Sequence, residues 1–130
     1  MATYLLDTNI IIDVLNDKRA RPALLKNLLF EGHLLACCPV NVTEVYAGLR
    51  PAEELKTETL LQSLQYLPVT FPVARLAGLL KREYSKKGKV LNIADATIAA
   101  VAIHHSLPLI TANSKDFPMK QLQLYHLPQA

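Results

Sequence analysis

Apolar residues in this chain occur both in short continuous runs and in longer stretches with helical spacing. A short apolar run bounded by polar residues is typical of a buried strand. Runs of this kind predict strands at residues 4–6, 34–38, 69–71, 107–111 and 122–127. Helical spacing between them predicts helices at residues 9–15, 22–30, 39–47, 53–66, 72–87 and 92–105.

Strands that alternate with helices indicate βα units. We therefore expect an α/β fold, a three-layer α/β/α sandwich with a mainly parallel five-stranded sheet. Pro22, Pro39 and Pro72 suit the first turns of helices, and Gly48 and Gly88 suit helix ends. The chain has 130 residues, which is enough for a single domain, residues 1–130, and too few for two ordinary domains.

The composition favours a soluble domain with a large core. Hydrophobic residues make up 51% of the chain, which also favours an apolar surface reserved for a partner. No apolar stretch approaches the roughly 18 residues of a membrane helix, and the start of the chain lacks the features of a secretory signal. We expect a cytoplasmic protein that does not contact a membrane. Neighbouring strand residues point to opposite faces, so Cys37 and Cys38 are expected to be buried, reduced thiols.

The formal net charge of +3 tolerates an anionic partner without demanding one. Basic residues are concentrated at the predicted end of the fifth helix and just beyond it. The candidates for contact with RNA phosphates are Lys81, Arg82, Lys86, Lys87 and Lys89. The alternative interpretation of this run is a solvated helix end without a ligand.

Four acidic residues fall past predicted strand ends or in the helix that follows: Asp7, Glu44, Asp95 and Asp116. In a parallel sheet the carboxyl ends of the strands lie at one edge, where open α/β folds place their sites. The alternative is helix capping, since Asp7 suits an N-cap and each of the other three follows an asparagine by three residues. Capping does not explain why Asp95 is tolerated in an almost wholly apolar helix, because a buried unpaired charge costs roughly several kcal/mol.

A divalent cation would compensate the charge of Asp95. Oxygen ligands without cysteine or clustered histidine favour a hard ion, Mg²⁺ or Mn²⁺. Carboxylates that converge on such an ion suit the cleavage of phosphodiesters. The metal would lower the pKa of a bound water and stabilise the charge that develops on the phosphate.

Four segments of the chain carry a resemblance to a known family. They are residues 5–9 (LLDTN), residues 43–44 (TE), residues 93–100 (IADATIAA) and residues 109–117 (LITANSKDF). The order and spacing of these segments, together with the chain length, resemble those of the PIN-domain family, specifically its VapC-type toxins. The resemblance implies a Mg²⁺- or Mn²⁺-dependent ribonuclease and a cognate VapB-like antitoxin. It also implies a homodimer, and contact with DNA only through the antitoxin.

In this resemblance the catalytic and metal-binding acids correspond to Asp7, Glu44, Asp95 and Asp116. The fourth acid of the family stands at the position of either Asn113 or Asp116, and we favour Asp116 as the acid and Asn113 as a polar helper. Thr8 and Asn9 would support the site, the first with a hydroxyl near the metal-bound waters and the second with an amide that ties the loop. Ordinary capping is the alternative for both.

Two other classes of function compete with a nuclease. An aspartate-dependent phosphatase also has an aspartate after its first strand, but it needs a second one two residues later, where this chain has Asn9. A non-catalytic module that binds RNA or protein would need only apolar surface and a basic helix. The complete set of four acids argues against that module.

Overall fold

A parallel sheet of four strands lies at the centre of the structure, a computed structural model that describes residues 1–127. The strands are β1 (Thr3–Leu6), β2 (Leu34–Cys37), β3 (Gln65–Tyr66) and β4 (Leu109–Ile110). Their order across the sheet is β3-β2-β1-β4. The first strand therefore lies between β2 and β4, and the residues that follow it are within reach of both neighbours.

Six helices surround the sheet within the described residues. They are α1 (Thr8–Leu15), α2 (Arg21–Phe30), α3 (Pro39–Ala47), α4 (Glu54–Ser63), α5 (Phe71–Lys86) and α6 (Ile93–His104). Short 3₁₀ turns cover Pro51–Glu53 and Ser114–Asp116. A proline lies in the first turn of α2, α3 and α5, where its missing N–H costs nothing.

The buried side chains form two layers, one on each face of the sheet. Leu5, Ala36 and Leu109 pack with α5 and α6, whereas Leu6, Leu35 and Ile110 pack with α1 to α4. This division follows from the alternation of side chains along each strand. The predicted α/β/α class and the parallel sheet are thus confirmed.

The third strand was predicted at residues 69–71 and instead lies at Gln65–Tyr66. The apolar spacing of the fourth helix continues through Leu64 and Leu67, which led to a predicted helix that is too long. Leu64 packs in one layer and Leu67 in the other, so both cannot belong to a single buried helix face. Leu55, which shares the apolar spacing of the predicted fourth helix, is 78% exposed.

The fifth strand, predicted at residues 122–127, is reduced to a single parallel bridge between Leu124 and Leu109. Two backbone hydrogen bonds hold it, from the Leu109 N–H to the Gln123 carbonyl and from the Tyr125 N–H to the Leu109 carbonyl, each 2.9 Å long. Because β4 itself has only two residues, it offers little edge for further pairing. The prediction of five strands was therefore wrong in number.

Cys37 and Cys38 are buried and unpaired, and they belong to opposite layers, as the sequence predicted. Burial is the main cause that raises the pKa of the Cys37 thiol to about 11, and electrostatic repulsion from the neighbouring Cys38 is the second cause. Both thiols therefore stay protonated and serve as small apolar groups. Across residues 1–127, none of the helices is long and apolar enough to cross a membrane.

Candidate active site at the carboxyl edge of the sheet

Asp7 directly follows β1 and is the N-cap of α1, with an extended backbone at φ −73° and ψ 155°. Only 5% of it is exposed. One carboxylate oxygen, Oδ1, accepts the Thr8 N–H at 2.8 Å. The other, Oδ2, accepts the Thr111 hydroxyl at 2.7 Å and the Asn9 amide at 3.1 Å. Three donors from two segments of the chain therefore hold the carboxylate in one orientation.

The loop after β4 is tied to Asp7 through Thr111 and Asn9. The hydroxyl of Thr111 also accepts the Asn113 N–H at 3.0 Å, and Asn9 Oδ1 accepts the Ala112 N–H at 3.4 Å. Sequence reasoning did not identify Thr111 as a site residue. Its only local signal was a hydroxyl side chain at the end of an apolar strand.

Glu44 lies on α3 and reaches the site through a chain of hydrogen bonds. The Thr8 hydroxyl donates to Glu44 Oε1 at 2.6 Å and accepts from Asn41 Nδ2 at 3.0 Å. Asn41 Oδ1 in turn accepts the Cys38 N–H at 2.8 Å. Asn41 is fully buried, so its two contacts, with Thr8 and Cys38, are made without competition from water, whereas Glu44 is exposed.

The suggestion that Asn41 and Glu44 form a capping box was wrong. Pro39 begins α3, so Asn41 is already the third residue of the helix rather than its N-cap. Its Oδ1 accepts the Cys38 N–H, and its Nδ2 donates to the Thr8 hydroxyl. A residue assigned to local capping thus links β2, α3 and α1 beneath the acidic groups.

Asp95 lies in the first turn of α6, where its N–H donates to Asn92 Oδ1 at 2.7 Å. The helix follows α5 along the chain, in the order that the predicted elements have. Its end leads directly into β4, so α6 runs against the strand direction. The first turn of α6 therefore lies at the carboxyl edge of the sheet.

Asp116 ends the 3₁₀ turn that follows β4, and its side chain is exposed. Its N–H donates to the Asn113 carbonyl at 2.9 Å. The Asn113 side chain makes no capping hydrogen bond to this turn. The turn consequently holds Asp116 through the backbone and keeps its carboxylate accessible.

Electrostatic coupling joins the four acids. Burial raises the pKa of Asp95 to about 6, helped by repulsion from Asp7, Asp116 and Glu44. Burial also raises the pKa of Asp7, and Glu44 adds to it, although hydrogen bonds from Thr111, Thr8 and Asn9 oppose the change. Four carboxylates from distant parts of the chain thus share one region of negative potential.

The donor set fits a hard divalent cation that keeps part of its water shell. Among residues 1–127, no three acidic, histidine or cysteine side chains are close enough to hold one ion directly. Mg²⁺ commonly binds through one or two protein carboxylates and retains several waters. Coupled, partly buried carboxylates with only oxygen donors meet that requirement, with the remaining acids able to contact metal-bound water.

The predicted RNA-contacting residues differ in their surroundings. Lys81 Nζ donates to the Leu91 carbonyl, and Lys87 lies 3.5 Å from Glu83 Oε1 and 4.7 Å from the centre of the Tyr84 ring. Arg82 and Lys86 are exposed on α5. Of the five predicted residues, Lys89 is the one that lines a cleft together with Asp95 and Asp116.

Residues 4–120, which include all four acids, match the family model called PIN domain. Ribonuclease VapC19 of Mycobacterium tuberculosis is 33% identical over 115 residues, which are 88% of this chain and 92% of that protein. A toxin-antitoxin complex from Klebsiella pneumoniae contains a chain that is 28% identical, with a TM-score of 0.73 and coverage of 93% and 99%. VapBC2 from Rickettsia felis, bound to a promoter DNA fragment, shares the fold at a TM-score of 0.86 and 23% identity, with coverage of 97% and 99%.

We predict that Asp95→Asn stabilises the metal-free protein at pH 7.5. Because the pKa of Asp95 rises from 3.8 to about 6 on folding, its ionisation favours the unfolded state, and the penalty develops as the pH rises through this interval. After allowance for solvent screening, the gain is about 1 kcal/mol, or about 4 °C in the thermal midpoint. Circular dichroism melts in chelator would measure it.

The gain should shrink as the pH is lowered toward 4, where Asp95 is protonated in the folded protein. Asp17→Asn is the matched control, because Asp17 is exposed and has a positive φ of 52° that asparagine readily adopts. A midpoint for Asp95→Asn at or below that of the unsubstituted protein at pH 7.5 would contradict the cost that burial and repulsion place on the ionised Asp95.

Proposed function

Because this chain belongs to the PIN-domain family, we propose that it is a divalent-metal-dependent ribonuclease that acts as the toxin of a toxin-antitoxin pair. The observation that carries the proposal is the coupling of four carboxylates around the buried Asp7. The Mycobacterium tuberculosis relative is named a ribonuclease, which supports the same activity here. The reaction is the hydrolysis of RNA phosphodiester bonds.

In this proposal Asp7, Glu44, Asp95 and Asp116 would hold Mg²⁺ or Mn²⁺, one or two of them directly and the others through metal-bound water. The bound ion supplies an acidified water and neutralises charge that develops on the phosphate. A carboxylate oxygen has room for two partners, and Asp7 Oδ2 already accepts two donors whereas Oδ1 accepts one. Oδ1 is therefore the oxygen that Asp7 would offer to the cation.

Neighbouring side chains keep these acids in position. The Thr8 hydroxyl donates to Glu44 Oε1 and so fixes the orientation of that carboxylate, which can still bind a cation. Asn9 and Thr111 hold Asp7 against rotation and tie it to the loop that carries Asp116. Because the Asn9 side chain is an amide, it cannot serve as the second acid that an aspartate-dependent phosphatase needs; it donates to Asp7 instead, and this disfavours the phosphatase alternative.

We extend the partner described for the related complexes to this chain. One of them is a toxin-antitoxin complex, and another is bound to a promoter DNA fragment. The proposed partner is a VapB-like antitoxin, with DNA contacted only through it. A homodimer is proposed as well, because Leu29 and Phe30 on α2 and Leu55 on α4 are large apolar residues exposed to solvent.

We predict that Asp7→Asn or Asp95→Asn lowers RNA cleavage at least about 100-fold, because each removes a charge that positions the cation. The assay incubates the pure protein with total cellular RNA in Mg²⁺, in Mn²⁺ or in chelator, and then maps the new RNA ends. Chelator should abolish cleavage by the unsubstituted protein.

Asp17→Asn serves as the control for this assay and should cleave at the unsubstituted rate. Circular dichroism would verify that each variant is folded. Undiminished cleavage by both Asp7→Asn and Asp95→Asn would refute the metal-nuclease proposal, as would equal cleavage in chelator and Mg²⁺.

The fourth acid has its own test. Asp116→Asn should lower cleavage at least about tenfold, because Asp116 adds to the negative potential at Asp95. Asn113→Ala should change it less than about threefold, because Asn113 contacts Thr111 through its backbone N–H. The same RNA assay compares the two variants, and the reverse order of effects would assign the role to Asn113.

A further inference from the structure

A cleft of about 400 Å³ opens beside the acidic set, on the side of Asp95 and Asp116. Besides these two acidic residues, its lining includes Lys89 and Lys115. Lys89 precedes α6 and Lys115 belongs to the 3₁₀ turn after β4, so two separate segments bring positive charge to the same opening. The volume falls within the range of about 300 to 1,000 Å³ that small-ligand sites occupy.

Both lysines are available to a ligand. Among residues 1–127, neither Lys89 nor Lys115 forms an ion pair, whereas Lys87 is paired with Glu83. Lys81, the other basic group near this region, is bonded to the Leu91 carbonyl. Lys89 and Lys115 are exposed, so they keep their mobility and their charge at the mouth of the cleft.

Charge balance indicates what these lysines do. One divalent cation neutralises only half of the charge of four ionised carboxylates, so a phosphodiester that approaches the site would still meet repulsion. Two ammonium groups in the adjoining cleft offset the remaining charge. A lysine serves as a point charge for phosphate and does not read bases, which suits an enzyme that must draw in an RNA backbone.

We propose that this cleft binds the RNA nucleotide next to the scissile bond, with Lys115 and Lys89 as its phosphate-binding residues. The inference rests on the proposed ribonuclease function and adds to it a substrate subsite. Lys115 was not among the residues predicted to contact RNA, and its place beside Asp116 in the 3₁₀ turn after β4 puts a phosphate contact next to the acids. Lys89 lines the cleft, and this distinguishes it from the other four basic residues that were predicted to contact RNA.

Direct RNA binding tests the subsite without relying on catalysis. The full chain with Asp7→Asn, which is not expected to cleave, is titrated in Mg²⁺ against a fluorescein-labelled random-sequence RNA of about 12 nucleotides. We expect Lys115→Gln and Lys89→Gln each to weaken binding about threefold to tenfold. Each should also reduce the slope of log K against log salt by about 0.7, the value for one lost phosphate contact on a single strand.

Matched controls separate the cleft from general positive charge. Lys87→Gln removes a charge from the same basic run, and Lys26→Gln removes an exposed charge from α2; both should leave affinity and slope within about twofold of the parent. Lys115→Arg should retain binding. If Lys115→Gln and Lys89→Gln both bind RNA with the affinity and salt slope of the Asp7→Asn parent, the subsite is overturned. The lysines would then be left to an acidic protein ligand.

An equal loss of RNA affinity in Lys87→Gln or Lys26→Gln would also overturn the subsite, because RNA binding would then depend on the total charge of the protein. In the background that retains Asp7, Lys115→Gln should lower kcat/KM on RNA by the same factor as affinity. If the unsubstituted protein fails to cleave any RNA, the proposed function fails on its own, whereas the salt slopes still decide whether the cleft binds phosphate.

Discussion

Burial of the Asp7 carboxylate at the end of β1 is the constraint on which the site depends. A charge with 5% exposure is tolerated only if hydrogen bonds replace its water, and Thr8, Asn9 and Thr111 provide them. These donors come from α1 and from the end of β4. The central place of β1 in the sheet therefore has a chemical consequence, because a strand with neighbours on both sides can draw polar groups from each.

The same arrangement brings four carboxylates together, and the fold alone does not neutralise their negative charge. Asp95 enters from α6, Glu44 from α3 and Asp116 from the turn after β4, and each is held by its own backbone or by a hydrogen bond. Burial first, and then repulsion from the other three acids, raises the pKa of Asp95, so the protein holds these groups together at a cost in stability. The proposed cation would be bound through the same charges, which gives the protein a reason to keep that cost.

The sequence predicted the four acids because each follows an apolar segment or interrupts one, a pattern visible within a few residues. Thr111 and Asn41 were missed, since their roles depend on partners 104 and 33 positions away in the chain. The third strand was misplaced because Leu64 and Leu67 extend a helical pattern while packing on opposite faces of the sheet. Likewise, a run of basic residues cannot reveal that Lys87 is paired while Lys89 lines the cleft.

Direct measurement of metal binding tests the central claim that the carboxylates around Asp7 hold a divalent cation. Electron paramagnetic resonance would follow free Mn²⁺ during titration of the pure protein at pH 7.5, beside Asp7→Asn and the Asp17→Asn control. We expect the unsubstituted protein and the control to take up Mn²⁺ equally, and Asp7→Asn to bind it at least about tenfold more weakly. Equal uptake by all three proteins, or none by the unsubstituted one, would contradict the account.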